Sequence, residues 1–406
     1  MSLTIEVDRS IPAHVSEDMI HDWPFQFGTT HTGNPYTDLL DPIHASYPPV
    51  FFTRDAYPGQ QPAWVVRHFD DVASIYKDNV NFLNKGFAPF AMLTGENWHL
   101  VPAEMDPPDH GRYRAMIFPL FTPKAVRALE GKVSAYASHY IDQFKDRGQC
   151  EFMSEFAFEF PIKVILDLIG LPQDMTGQFM AWENDLLHGH DLETIAAATR
   201  NVVGYLRGEI EERKRKPRED LLTFAVKAEV DGVKMRDDEM LGFAFNLFIG
   251  GLDTVSTNLG LQFWHLATHP EDQAKLRANP ELIPDAIEEL LRAYAAVSTF
   301  RTVANKVEVN GITMMPGDKV IMSTTLAGRD PAVWENPAEV RLDRKPQHVS
   351  FAIGPHLCLG LHLARRELSY AINTFLREIP QFSLAPGKDV EFHLGLIQPI
   401  ELPLVW

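Results

Sequence analysis

The sequence predicts a mainly α-helical protein with a minor β region, on three observations. Apolar residues recur at helical spacing through most of positions 125–296 and again over 359–379. Strand-like alternation is confined to positions 64–69 and 302–322. No internal period, Gly/Ser linker or single-sign charge block divides the 406 residues, which predicts one domain over 1–406 with an α-rich lobe and a small β-rich lobe.

Taken in order, the first 60 or so residues are rich in Pro, His and aromatics and read as an irregular arm over a core. A short strand region begins at Trp64. Thr122-Pro123 supplies a capping hydroxyl and a proline at the first helical position, opening a helix over 125–144. Helices are expected at 152–169, 175–188, 192–214, 220–229, 237–268 and 284–296. Beyond Phe300 the turn pairs Asn310-Gly311 and Pro316-Gly317 separate strands at 302–309, 312–314 and 320–322. A last helix at 359–379 leads into short strands ending at Trp406.

Fifty-five acidic residues against 37 basic ones leave a net charge of −18, which argues against nucleic acid or anionic membrane as the main partner. The two cysteines, Cys150 and Cys358, are too few for a disulfide framework and point to a reducing compartment. The N-terminus carries Asp8, Glu17, Asp18 and Asp22 and lacks the basic start and apolar run of a signal peptide, so the expected location is the cytoplasm. The most apolar stretch, 241–252, contains Asn246 and runs into Asp253, short of the roughly 18 apolar residues of a membrane span.

Chemistry concentrates in four places. Residues 351–360 form a turn-rich loop that sets Cys358 just before a helix, where unpaired amides and the helix dipole favour thiolate over thiol. Gly360 there lets the backbone approach something flat and bulky; an isolated cysteine in such a turn would read as buried core. Glu289 and Arg292 share one helix face, which alone would be a surface ion pair. Gly250 and Gly251 sit inside a helix at a cost of about 1 kcal/mol each, so either core packing or an open groove must offset them. His110 and Arg114, four residues apart, point the same way from a helix.

Together these motifs resemble the cytochrome P450 monooxygenases, whose haem-binding signature is Phe-Gly-x-Gly-x-His/Arg-x-Cys-x-Gly. Phe351, Gly354, His356, Cys358 and Gly360 match it, and Ala352 replaces its first glycine. The resemblance implies the P450 fold, with haem b held between a long distal helix and the proximal cysteine loop. Cys358 would be the axial thiolate on iron, favouring O–O cleavage, and Phe351 and Gly360 would also contact the cofactor. Asp253 and Thr254 would be the acid and alcohol that relay solvent protons, beside a dioxygen groove at Gly250 and Gly251. Glu289 and Arg292 would be structural, and His110, Arg114, Arg301 and His356 would pair the haem propionates.

The segments Gly95-Glu96-Asn97-Trp98, Gly250-Gly251-Leu252-Asp253-Thr254 and Leu402-Pro403-Leu404-Val405-Trp406 are similar to the bacterial camphor 5-monooxygenase subfamily. Trp98 stands at that subfamily's tyrosine, Asn246 at an apolar contact and Thr299 at an aspartate, which implies a substrate other than camphor. The lining expected from Phe87, Phe90, Trp98, Asn246, Ile249, Gly250, Val297, Thr299, Leu396 and Ile397 suits a small terpenoid or norisoprenoid. The chain has no flavin or nicotinamide fingerprint and no cysteines for a cluster, so its electrons come from a partner. The resemblance implies a two-iron, two-sulfur ferredoxin with an NADH-dependent reductase, steered by a basic island of Arg112, Arg341, Arg344, Lys345 and Arg365. A haem-thiolate sensor or a peroxide-driven enzyme stays open as an alternative, although the Asp253-Thr254 pair has no purpose in a sensor. A cysteine hydrolase using Cys358 and His356 lacks an orienting group in the loop.

Overall fold

The computed structural model describes residues 10–57, 61–189 and 191–406. Its largest sheet has five strands in the order Val50–Tyr57, Gln61–Val66, Lys319–Ser323, Ser298–Val303 and Phe82–Leu83. The central strand runs parallel to Gln61–Val66 and antiparallel to Ser298–Val303. Val320, Ile321 and Met322 at its middle are fully buried, as an apolar run covered on both faces should be. Residues 10–57 are therefore more ordered than an irregular arm; the rest of the first 60 lies outside the described residues. Val50, Phe51 and Phe52 are β-prone and bury almost completely, so this segment becomes a sheet strand.

Asn310 and Gly311, both at positive φ, close a hairpin between Val307–Val309 and Ile312–Met314. The expected single strand over 302–309 is two, because Ser298–Val303 belongs to the large sheet instead. The predicted helices from 152 to 296 are present, with boundaries shifted by a few residues except where helices divide. The 125–144 stretch divides into Pro123–Arg127 and Glu130–Asp142, and the Thr122 hydroxyl caps the first.

The helix expected over 237–268 is broken into Asp237–Leu252 and Thr254–Thr268, with Asp253 between them. This pair is the centre of the fold: the first part packs on Glu159–Ile169 and Leu192–Arg215, the second on Leu361–Glu378. By length and composition, 237–268 could cross a membrane, but 72% of its most apolar window is buried inside the protein. Its hydrophobicity serves the core.

Candidate active site

Cys358 lies in the loop that leads into the helix Leu361–Glu378. Its amide donates to the Phe351 carbonyl at 2.8 Å, folding the loop back on itself. Ala352 adopts φ +53° and Gly354 φ +75°, so the signature's first glycine position keeps a left-handed backbone even with alanine there. The amides of Gly360 and Leu361 face the sulfur, and the Arg114 and Arg365 guanidinium groups lie nearby. Burial nevertheless raises the thiol's pKa, against the pull of all four. A bound metal cation would favour the thiolate, since coordination removes a thiol proton outright.

Four basic side chains converge on the Cys358 loop. The imidazoles of His110 and His356 lie 3.9 Å apart, and Arg114 donates to the Leu357 carbonyl at 2.6 Å. Arg301 is 5% exposed and lies 5.6 Å over the Tyr76 ring. Burial, then the charges of His110, Arg301 and Arg114, push the His356 imidazole down to about 3. Burial and Arg114 likewise lower His110, whose buried Nε2 has no hydrogen-bond partner. A cluster of this kind is suited to buried anions.

The haem group fits these residues. A Cβ added at Gly360 or Gly250 would meet nothing within 4 Å, so both glycines border open space. Gly251 differs: its Cβ would fall 2.4 Å from Ile165 Cγ1, so this glycine serves helix packing and not the expected groove. Phe351 lies under Arg365, 4.9 Å from ring centroid to guanidinium carbon.

On the distal side the Thr254 hydroxyl donates to the Gly250 carbonyl at 3.0 Å. Asp253 is completely buried, with Gln398 donating to its Oδ1 and His188 Nε2 3.3 Å from its Oδ2. In this arrangement Asp253 and Thr254 bond to different neighbours and not to each other. His188, Glu183, His393 and Gln398 escaped sequence reasoning, because a run such as Trp182-Glu183-Asn184-Asp185 reads as a solvated helix face.

The predicted substrate wall divides between two core clusters. Phe90, Trp98 and Ile249 belong with Phe245 and Phe248, whereas Val297, Leu396 and Ile397 belong with Leu259 and Phe300; Phe87 packs against both. Leu359, next to the cysteine, packs on the first cluster. Trp98 is 3% exposed, its ring lies 4.9 Å from that of Phe245, and its Nε1 has no partner. A cavity of about 160 Å³ is lined by Phe87, Pro89, Met92 and Trp98 among others. A larger groove, about 310 Å³, lies against Leu129, Val164 and Phe224 and touches none of the predicted site residues. Two polar positions are already engaged: Asn246 donates to the Val101 carbonyl at 3.2 Å, and Thr299 bonds the Tyr76 hydroxyl at 2.7 Å. Thr299 shares a strand side with Arg301, so both meet Tyr76.

Glu289 and Arg292 are far from a surface ion pair. Both are fully buried and joined by two 2.8 Å bonds, and Arg292 also donates to the carbonyls of Gly328, Pro337 and Glu339. This network corrects the predicted basic island. Arg344 bonds Glu289 at 3.0 Å with its side chain 9% exposed, because the 335–345 loop wraps over the pair. Arg112 pairs with Asp109 and Asp231, Lys345 with Asp285 and Arg365 with Glu288, while Arg341 is exposed.

A half-buried cysteine in an amide-lined loop, a cationic cradle and a glycine-bordered space under a broken helix define a haem-thiolate site. The family model "Cytochrome P450" matches residues 171–398. The chain is 33% identical to the "Probable cytochrome P450 127A1" of Sinorhizobium fredii, covering 98% of this chain and 97% of that protein. The solved structure of CYP101J2 superposes with a TM-score of 0.85 at 28% identity, over 98% of this chain and 99% of that one. CYP101C1 gives 0.85 at 30% identity, over 98% and 100%. The chain belongs to the cytochrome P450 family of haem b monooxygenases.

Proposed function

We propose that the chain hydroxylates a small apolar terpenoid or norisoprenoid, with electrons from a two-iron, two-sulfur ferredoxin and its NADH-dependent reductase. The observation that carries the site assignment is the gathering of His110, Arg114, Arg301 and His356 around the Cys358 loop, with His110 Nε2 left unpartnered. Those four would hold the haem propionates and Cys358 the iron. When bound, the haem supplies reductive activation of dioxygen and insertion of one oxygen atom into a C–H bond.

The chain's own contribution is positioning and proton supply. Phe87, Phe90, Ile249, Val297, Leu396 and Ile397 exclude water from an apolar substrate, and Trp98 Nε1 offers one unpaired donor to a ketone. Asn246 and Thr299, both engaged elsewhere, act on the shape of the wall. Asp253 supplies a buried carboxyl and Thr254 a hydroxyl next to Gly250. The similarity to two CYP101 structures supports a camphor-hydroxylase-like subfamily. For the redox partner, Arg112, Arg341, Lys345 and Arg365 remain at the surface and Arg344 does not. The proposed setting is the cytoplasm.

The test is a screen of terpenoid and norisoprenoid ketones for a low-spin to high-spin Soret shift, followed by turnover with NADH, ferredoxin and reductase. Thr254→Ala is expected to keep the thiolate-type carbon monoxide band and divert most reducing equivalents to hydrogen peroxide. Unchanged coupling in that variant defeats the relay, and a colourless, haem-supplemented protein defeats the whole reading.

A further inference from the structure

We propose that His188 is the residue through which Asp253 exchanges protons with solvent, with His393 as its water-side neighbour and Glu183 as a buried carboxyl on the same relay. The consequence for turnover rests on the monooxygenase reading; the geometry does not.

Asp253 occupies the interruption between the two central helices and is completely buried. Gln398 donates one amide group to its Oδ1 and to the Thr257 hydroxyl, the latter at 2.7 Å. An amide fixes a carboxylate but does not titrate in the neutral range, and neither does an alcohol. The His188 imidazole, whose Nε2 lies 3.3 Å from Oδ2, can both accept and release a proton. The groups facing this cluster come from four elements. Glu183 lies within the helix Thr176–His188 and His188 ends it, His393 ends the strand Glu391–His393, Gln398 lies in Gln398–Pro399, and Thr257 in Thr254–Thr268. Among the described residues no lysine or arginine makes a salt bridge to Asp253.

His188 is 7% exposed and stacks on His393 at 4.2 Å with an interplanar angle of 24°. His393 is only half-buried, which gives the pair a wet ring and a dry ring. Two positive charges on rings this close would oppose each other, so a proton on one ring disfavours a second on its neighbour. In the relay, the N–H bond at His188 Nε2 breaks and an O–H bond forms at Asp253 Oδ2, leaving neutral imidazole and carboxylic acid. Water on the His393 side restores the proton, and no electrons move. Glu183 is 1% exposed with an unpartnered Oε1. Burial and the Asp253 charge push its carboxyl well above the ordinary carboxylate range, which favours the acid form whose exchange the experiment follows.

The experiment follows the infrared carboxylic-acid band of Glu183 in the resting ferric holoenzyme after transfer to heavy water, with the band assigned by its loss in E183Q. His188→Gln can still donate to Oδ2, which keeps Asp253 in place while removing the titrating group. H188Q is expected to slow exchange of the band at least tenfold, and H393Q to slow it by a smaller factor. In turnover, H188Q should raise the share of electrons lost to hydrogen peroxide and flatten the dependence of coupling on pH, with the carbon monoxide band unchanged. Native exchange rates in H188Q overturn the proposal, and absence of a Glu183 band overturns that residue's place in it. Failure of the monooxygenase reading is distinguishable, since it removes product in every variant and leaves the exchange effect intact.

Discussion

Removing the Glu289 carboxylate should damage this protein more than removing any single surface charge. In Glu289→Ala, the Arg292 guanidinium stays fully buried, held by three backbone carbonyls and without a counter-charge. The Arg341 amide and Arg344 Nε also lose their acceptor, Oε1 at 2.9 and 3.0 Å. Breaking a buried pair in this way costs about 3–5 kcal/mol, because the remaining charge is neither solvated nor neutralised. At about 2.1 cal/mol/K per residue, the unfolding entropy of a chain this long is roughly 0.85 kcal/mol/K, so the loss is a Tm drop of roughly 4–6 °C. The assay is thermal melting of the ferric holoenzyme followed by far-ultraviolet circular dichroism. Asp285→Ala serves as the comparison, since it removes the partner of Lys345, a side chain 71% exposed, at about 1 kcal/mol or less. A Glu289→Ala melt within a degree of the native one would refute the claim that this buried pair holds the proximal loop.

The two glycines of the central helix should behave oppositely. Gly251→Ala drives a methyl into Ile165 and is expected to cost about 1–3 kcal/mol, partly recovered by Ile165→Val, as read from melting curves. Gly250→Ala meets no atom, so it should stabilise the helix by roughly 0.5–1 kcal/mol while lowering coupling in product and peroxide assays. Ala352→Gly relieves the left-handed backbone at φ +53°, offset by the freer unfolded chain, for a calorimetric gain of about 1 kcal/mol or less. For Glu288, burial acts to raise the carboxyl, but bonds from His348 and Arg365 outweigh it and hold it at about 2, below its ordinary 4.5. The folded state then binds fewer protons than the unfolded one, so this contribution is complete above the ordinary value and fades as pH falls toward 2. The melting difference between native protein and Arg365→Ala should accordingly shrink from neutral pH to pH 3; a constant difference counts against the pair's linkage.

What the sequence revealed and what it hid follow from the range of the interactions involved. Thr122 was legible as a helix-start signal because a cap acts within three residues, and its side chain accepts the expected amide. The cysteine loop was legible because its turns, glycines and ligand atom are consecutive. The Val50–Tyr57 strand was not, since its partner Gln61–Val66 is only then joined by Lys319–Ser323 from the far end of the chain. Arg344 looked like a surface charge by type, and only the fold shows it turned onto Glu289, 55 residues away. The most consequential gap is the surroundings of Asp253. Asp253 and Thr254 are adjacent in sequence and invite a direct partnership, yet the carboxylate is held by Gln398, 145 residues later, and faces His188, 65 residues earlier. A polar group placed in the interior must be satisfied by whatever elements the packing brings to it. Periodicity can announce that such a helix is buried, but the identity of the residues that meet its one acid is a property of the assembled fold, and so is the route by which a proton reaches it.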